Sequence, residues 1–428
     1  MKAPGAREAA PGQGPAARAQ PRNNFQREAL GISVTLVLPT HILKTVVIGA
    51  GQAGLAAAHH LRRAGMVAGE DFVVLDSNDG PGGAWRHRWD SLTFGRAHAI
   101  HDLPGLALGV PDPTEPAREV VKRYYGEYEE QNELNVLRPV QVKNVFYTGG
   151  LFKIETNRGT FESRTLINAT GTWESPYIPY YPGINEFTGQ QLHTKNYRAA
   201  SDFVGKRVLV VGGGTSALQF LQDLNKQGIE TVLATRRTVQ WTRQSFNDEW
   251  GLNVEREVAK RVQAGKQPLS VSAVTGIGLA HYYTPDIRSG LLLSRGNLVR
   301  LTERGAVLNG PGSDGSELPD QGKANPYVHK ENVAKLPGHL TDDGFWETPI
   351  DVVLWATGFR ANIGHLAGLR LREKGGGILL GKDNSTSVRQ PGLFMAGYGS
   401  SASTLGATRA GRRAARGVRR HLERELVK

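Results

Sequence analysis

Cysteine is absent from all 428 residues. That excludes disulfides, thiolate metal sites and any dithiol redox pair within the chain, and it is compatible with a cytoplasmic setting. Long apolar runs are absent as well. Nothing approaches the ~20 residues that cross a bilayer, so no integral membrane segment is expected. The first 29 residues hold no continuous apolar stretch of the kind a secretory leader needs. Acidic charge is scarce relative to basic, with a net charge of +12, but the excess is gathered at the ends. Residues 1–30 carry +3 and residues 409–428 carry +6. This reads as a solvated tail and the outer face of a terminal helix rather than a nucleic-acid surface. No metal site is assigned.

What is present is glycine, 53 residues of it, with 39% hydrophobic content, as in a soluble α/β enzyme of two or three domains. The stretch Thr45–Ala58 runs from a β-branched apolar strand through Gly49-x-Gly51-x-x-Gly54 into an Ala/Leu-rich helical pattern. Gly49 permits the turn, Gly51 lets a pyrophosphate approach the backbone, and Gly54 lets helix and strand close up. The next strand, Phe72–Asp76, ends in an acid twenty-two residues past Gly54. A carboxylate there accepts from a ribose 2′-hydroxyl and repels a 2′-phosphate. The first unit is therefore an adenine-dinucleotide site for FAD or NAD.

A second unit opens at Arg207–Val211, followed by Gly212-Gly213-Gly214-Thr215-Ser216-Ala217, with Ala at the third glycine position. Its following strand, Thr231–Thr235, ends without an acid, and Arg236 and Arg237 stand where the ribose-reading residue belongs. Guanidinium groups there suit the 2′-phosphate of NADP. Between the units, Pro116–Asn132 predicts an amphipathic helix. Strand patterns fall at Val140–Phe146, Leu151–Thr156, Thr160–Glu162 and Arg164–Gly171, the last ending in Ala-Thr-Gly. Val254–Ala264 predicts a helix, Asn309–Lys323 a loop, Ile350–Arg360 a second strand into Ala-Thr-Gly, and Gly392–Tyr398 a last buried strand. A final helix from about Thr404 to Val427 lines up Ala414, Val418, Leu422 and Leu426. The expected organisation is a disordered tail over 1–41, which includes a brief apolar run at Gly31–Pro39. An FAD-binding domain follows over 42–178 and 347–428, and an NADP-binding domain over 179–346 is inserted into it. The fold class is α/β, with two Rossmann-like units.

Phe187-x-Gly189-x-x-x-His193-x-x-x-Tyr197-Arg198, just before the second glycine turn, resembles the fingerprint of class B flavoprotein monooxygenases, in the flavin-containing monooxygenase branch. The resemblance covers roughly residues 42–428. It implies FAD in the first unit and NADPH in the second. His193 and Tyr197 then count among the cofactor-side residues. Gly83-x-Trp85-Arg86 is similar to the family's segment beside the flavin. Ala169-Thr170-Gly171 and Ala356-Thr357-Gly358 are similar to its two linkers, and Gly397 belongs with the last flavin-side strand. Tyr197 stands where the Baeyer–Villiger branch usually has Trp, which disfavours ketone-to-ester insertion. The loop Thr93–Gly105 lacks the active-site Asn that many relatives carry, leaving His98, His101 and Asp102 as catalytic candidates.

The implied chemistry is reduction of FAD by NADPH, addition of O₂ to form a C4a-(hydro)peroxyflavin, and transfer of one oxygen to a small soft nucleophile. N- or S-oxygenation and oxidative decarboxylation are both compatible with it. The N-terminal end of the last helix, after Gly397–Ser401, is expected to stabilise negative charge on the reduced ring. An NADPH-dependent flavin reductase or electron-transfer protein stays open as the alternative, as does a flavin-bound sensor that never turns over. The expected partners are a small-molecule substrate and O₂. A homodimer is left open.

Overall fold

The computed structural model describes residues 41–97, 100–237, 239, 241–242, 248–268, 276–279, 281–309, 335–402 and 404–427. The expected N-terminal tail up to residue 40, with its run at 31–39, lies outside the described residues, as do His98 and residues 310–323 of the expected loop.

β1 (Leu43–Ile48) enters almost wholly buried, and the chain turns at Gly49 into α1 (Gln52–Arg63). Gly49 has φ +100°, and a Cβ there would stand 2.6 Å from the Ala169 carbonyl oxygen. A Cβ on Gly54 would stand 1.8 Å from the Gly49 carbonyl oxygen. No side chain fits either place, so the turn and the strand–helix approach both require glycine. β2 (Phe72–Leu75) pairs in parallel with β1. α2 (Ala117–Gln131) follows where an amphipathic helix is predicted, burying Val120, Val121, Tyr124, Tyr125 and Tyr128. β3 (Val136–Leu137), β4 (Val142–Thr148), β5 (Leu151–Thr156) and β6 (Gly159–Asn168) complete the first half. The strand patterns expected at 160–162 and 164–171 are thus one strand, which ends at Asn168. Its first half pairs antiparallel with β5, while the stretch from Ser163 to Asn168 pairs in parallel with β1.

β7 (Gln190–His193), β8 (Arg207–Val211), α3 (Thr215–Asn225) and β9 (Glu230–Ala234) form the second glycine-turn unit. After it come β10 (Trp241–Thr242), α4 (Asp248–Gln263), β11 (Ile277–Gly278) and α5 (Thr284–Arg288). β12 (Asn297–Leu301), β13 (Gly305–Asn309), β14 (His339–Leu340) and β15 (Trp346–Pro349) make an antiparallel sheet of order β12-β13-β15-β14. This sheet occupies the part of the sequence with no readable pattern. β16 (Val352–Trp355) pairs in parallel with both β7 and β8, so the second parallel sheet runs β7-β16-β8-β9. A division after residue 346 would hand β16 to the first unit; its hydrogen bonds place it in the second.

β17 (Leu393–Met395) returns to pair in parallel with the end of β6, giving a first sheet of order β3-β2-β1-β6-β5-β4 with β17 also on β6. α6 (Thr404–Leu426) then packs on α1. The fold is therefore two Rossmann-like α/β units, the second lying in the chain between strands of the first. Along α6, Ala407, Ala410, Gly411, Ala414, Ala415 and Val418 are buried, while Leu426 is 88% exposed. The expected line of every fourth residue fails at its end because each such step turns the helix 40° past a full turn.

Candidate functional site

A cavity of about 1330 Å³ opens at the carboxyl ends of β1, β2 and β6. It exceeds the ~300–1,000 Å³ of an ordinary small-ligand pocket, and its lining mixes glycine backbone, acids, amides and aromatics. Gly49, Gly51, Asp76, Gly83, Trp85, His101, Thr170, Gly171 and Gly397 all line it. Gly51 caps α1 in an extended conformation (φ −80°), and a Cβ built there meets no protein atom within 4 Å. The space a side chain would fill therefore belongs to the cavity, beside amides at the start of α1 that have no partner within the helix.

Asp76 is buried at 4% exposure. Its Oδ2 accepts from the Ala50 amide at 2.7 Å, and its Oδ1 accepts from both nitrogens of Asn78 at 2.8 Å. One carboxylate thus braces the glycine turn from the cavity wall. Arg138 stands 4.0 Å from it but spends its guanidinium on Glu129, at 2.6 and 2.7 Å. The open cradle at Gly51 and the acid at the end of β2 fit the ADP portion of FAD. Arg86, by contrast, donates to the Pro81 carbonyl at 3.0 Å and does not line the cavity.

The far wall contains residues that sequence reasoning missed. Trp173 stacks on Phe359 at 5.0 Å, and Phe359 meets the edge of His193 at 4.8 Å. Phe359 follows directly on the second Ala-Thr-Gly turn and Trp173 stands two residues past the first, which is the signal that could have found them. Thr170 donates to the Asn362 carbonyl at 2.5 Å. His365 is buried, and its Nε2 lies 2.7 Å from Asn168 Oδ1. Burial pulls the His365 pKa down to about 4, so the ring is neutral and Nε2–H donates. Glu255 reaches the same wall from α4, and its carboxyl is raised by burial against the lowering pull of Arg409 and Arg413. No local sequence signal points to Glu255.

In the second unit, Gly212 has φ +136° and sits against the Ala356 carbonyl oxygen, 2.2 Å from where a Cβ would be. Gly214 caps α3, Thr215 and Ser216 form its first turn, and Arg236 and Arg237 are exposed just past β9. These residues stand where a second dinucleotide would bind and fit one with a 2′-phosphate. Thr357 donates to the Tyr177 carbonyl, and the Gly358 carbonyl lies 2.9 Å from His193 Nε2.

The fingerprint residues hold structure rather than line the cavity. His193 ties β7 to the second Ala-Thr-Gly turn. Tyr197 is fully buried, its ring 4.4 Å from Phe220 and its hydroxyl donating to Asp223 at 2.5 Å. Tyr197 is a core residue because a ring at 0% exposure cannot reach a ligand. Among the catalytic candidates, His101 lines the cavity and its carbonyl accepts from Gln52 at 3.0 Å. Asp102 is exposed and accepts from the Leu108 amide at 3.0 Å, which makes it a loop cap. His98 lies outside the described residues. No cluster able to hold a metal ion is found among the described residues.

Two sheets, the first mixed with a parallel core and the second parallel, each with a glycine turn feeding a helix, and a cavity at the carboxyl edge of the first define an oxidoreductase of the two-dinucleotide class. Residues 46–275 match the pyridine nucleotide-disulphide oxidoreductase family, and the chain belongs to that family. Without cysteine, this member carries no disulphide centre of its own. It is 29% identical to the oxidoreductase CzcO of Bacillus subtilis over 195 residues, 46% of this chain and 55% of that one. It is 31% identical to the indole-3-pyruvate monooxygenase YUCCA1 of Oryza sativa over 204 residues, 47% of this chain and 49% of the relative. The matches thus span about half the length of these curated relatives. A flavin-containing monooxygenase from Stenotrophomonas maltophilia superposes with a TM-score of 0.69 at 28% identity, covering 88% of this chain and 98% of that one. The cofactors are FAD and NADPH. No helix among the described residues is long and apolar enough to cross a membrane.

Proposed function

We propose that this protein is an NADPH- and O₂-dependent flavin monooxygenase that oxygenates a small soft nucleophile, by N- or S-oxygenation or by oxidative decarboxylation. The observation that carries the reading is the set of aromatics, Trp85, Trp173 and Phe359, along the cavity where the segments after the two Ala-Thr-Gly turns meet. Bound flavin supplies the redox chemistry, accepting two electrons from NADPH and delivering one oxygen atom of O₂ to the substrate. The chain's own task is to hold, orient and keep dry. Gly51 and the start of α1 would hold the FAD pyrophosphate, with Asp76 and Asn78 at the ribose. Gly83, Thr170, Gly171 and Gly397 would flank the rest of that cofactor. Gly212, Gly214, Thr215 and Ser216 would hold the NADPH pyrophosphate, and Arg236 with Arg237 its 2′-phosphate.

Trp173 and Phe359 would shut water out of the junction, which protects oxygen transfer against wasteful peroxide release. The Gly397–Ser401 turn brings the start of α6 to the cavity wall, where its positive end would favour charge gained by the ring. The matching division of labour is an FAD unit over 42–178 and 356–428 and an NADP unit over 179–355. A cytoplasmic setting belongs to the same reading, since a chain without thiols gains nothing from an oxidising compartment. The test is stoichiometry with a panel of amines, thioethers and 2-oxo acids. Oxygenated product formed in step with NADPH and O₂ is expected. Electrons passing entirely to peroxide or to an added quinone would favour the reductase alternative.

A further inference from the structure

Arg88 is a cation that nothing in the described protein neutralises, and it faces the cavity. The Gly83–His87 turn is a 3₁₀ helix, and Arg88 closes it by donating its amide to the Trp85 carbonyl at 3.0 Å. Three residues per turn bring Trp85 and Arg88 onto one face. The guanidinium carbon lies 5.6 Å from the Trp85 ring centre, 6.0 Å from Trp89 and 4.6 Å from Trp173. Nε is shielded from solvent and has no hydrogen-bond partner. Among the described residues no carboxylate pairs with it, and burial alone draws the guanidinium down to about 10. It is therefore still charged at neutral pH. Ring faces return only part of what desolvating a cation takes away, so a half-buried arginine whose Nε is cut off from solvent and whose neighbours are aromatics alone is incomplete. Arg138, on the same flavin side, has by contrast the carboxylate of Glu129 at 2.6 and 2.7 Å.

We infer that Arg88, boxed by Trp85, Trp89 and Trp173, is an anion receptor that takes a carboxylate or phosphate oxyanion of a molecule bound against the flavin. The inference rests on the flavin site proposed above. A guanidinium fork offers two parallel donors to such a group, and the indole faces keep the fork from turning away. The FAD pyrophosphate already has the Gly49–Gly51 turn. The oxyanion at Arg88 therefore comes either from an acidic substrate or from the nicotinamide nucleotide.

The test uses the FAD-loaded enzyme and the flavin difference spectrum. Benzoate and its neutral isostere benzamide are titrated into wild type, Arg88→Gln and Arg88→Lys, and NADP⁺ is titrated separately. Wild type should bind benzoate at least tenfold more tightly than benzamide, with the preference lost in Arg88→Gln and partly kept in Arg88→Lys. Equal benzoate and benzamide binding, with NADP⁺ at least tenfold weaker in Arg88→Gln, assigns the oxyanion to the nucleotide. No carboxylate preference in wild type, together with NADP⁺ affinity unchanged within twofold in the variants, overturns the inference. Should Arg88→Gln not load flavin, Arg88→Lys carries the comparison, since an ammonium cannot present paired donors and a loss of threefold or more is expected. None of these readings needs oxygen transfer. Anion preference without oxygenated product would sink the monooxygenase and leave the receptor, and the reverse result would do the opposite.

Discussion

Two glycines three residues apart, Gly51 and Gly54, separate folding from binding. Gly51→Val places its branches in the open cavity from an extended backbone that any residue adopts. The apoprotein should melt close to wild type while flavin content falls to near zero, read by absorbance after reconstitution. Gly54→Ala pushes a methyl to within 1.8 Å of the Gly49 carbonyl oxygen, so α1 must move off β1. A loss of about 1–3 kcal/mol in urea unfolding of the apoprotein is expected. Arg236 is a different kind of residue, exposed and without a fold to support. Arg236→Ala should raise the KM for NADPH tenfold or more and spare NADH, since a lost charged contact is worth about 1.5–3 kcal/mol. Equal losses with both nucleotides would refute the 2′-phosphate assignment.

At the level of elements, the α1–α6 contact decides how closely the first unit closes over its cavity. Ala53, Ala56 and Ala57 of α1 meet the small residues of α6, and a Cβ on Gly411 would stand 2.6 Å from both the Ala53 carbonyl oxygen and the Ala57 amide nitrogen. Helix propensity alone would have Gly411→Ala gain up to ~1 kcal/mol. Contact with two backbone atoms outweighs that gain, so a net loss of about 1–3 kcal/mol is expected, with weaker flavin retention on gel filtration. A stabilised Gly411→Ala would show that the helices separate freely. β16 makes the related point about strands. Its Ala-Thr-Gly turn mirrors the one after β6, yet its partners are β7 and β8, and hydrogen bonding rather than sequence order assigns it.

For the molecule as a whole, two histidines couple stability to acid. Burial holds His365 near a pKa of about 4, and His60 is drawn to about 4 by burial and then by His59, Arg412, Arg416 and Arg63. Both lie below the free value near 6.5, so the unfolded chain binds protons that the native chain refuses. Stability should therefore be unaffected by these groups above about pH 7 and fall as pH drops from about 6.5 to about 4. For His365, whose ring is nearly enclosed, the loss is on the order of 3 kcal/mol. His365→Gln keeps an N–H for Asn168 without the titration. Its apoprotein should show a shallower acid limb than wild type in unfolding measured at several pH values, and identical limbs would dismiss the role of this ring.

What the sequence determined by itself is whatever is encoded within a few residues: both glycine turns, the acid after β2, the arginine pair after β9, and the helices whose apolar spacing is regular. Those signals are local because a turn needs its glycine and a helix its face wherever they occur. Tertiary structure alone decided which strand joined which sheet, that Tyr197 would vanish into a core and Asp102 cap a loop, and that Arg88, Trp173, His365 and Glu255 would share one cavity. These residues come from four separate stretches, and only long-range packing brings such stretches together. Burial and charge pairing follow from that assembly, and no window of the chain contains them.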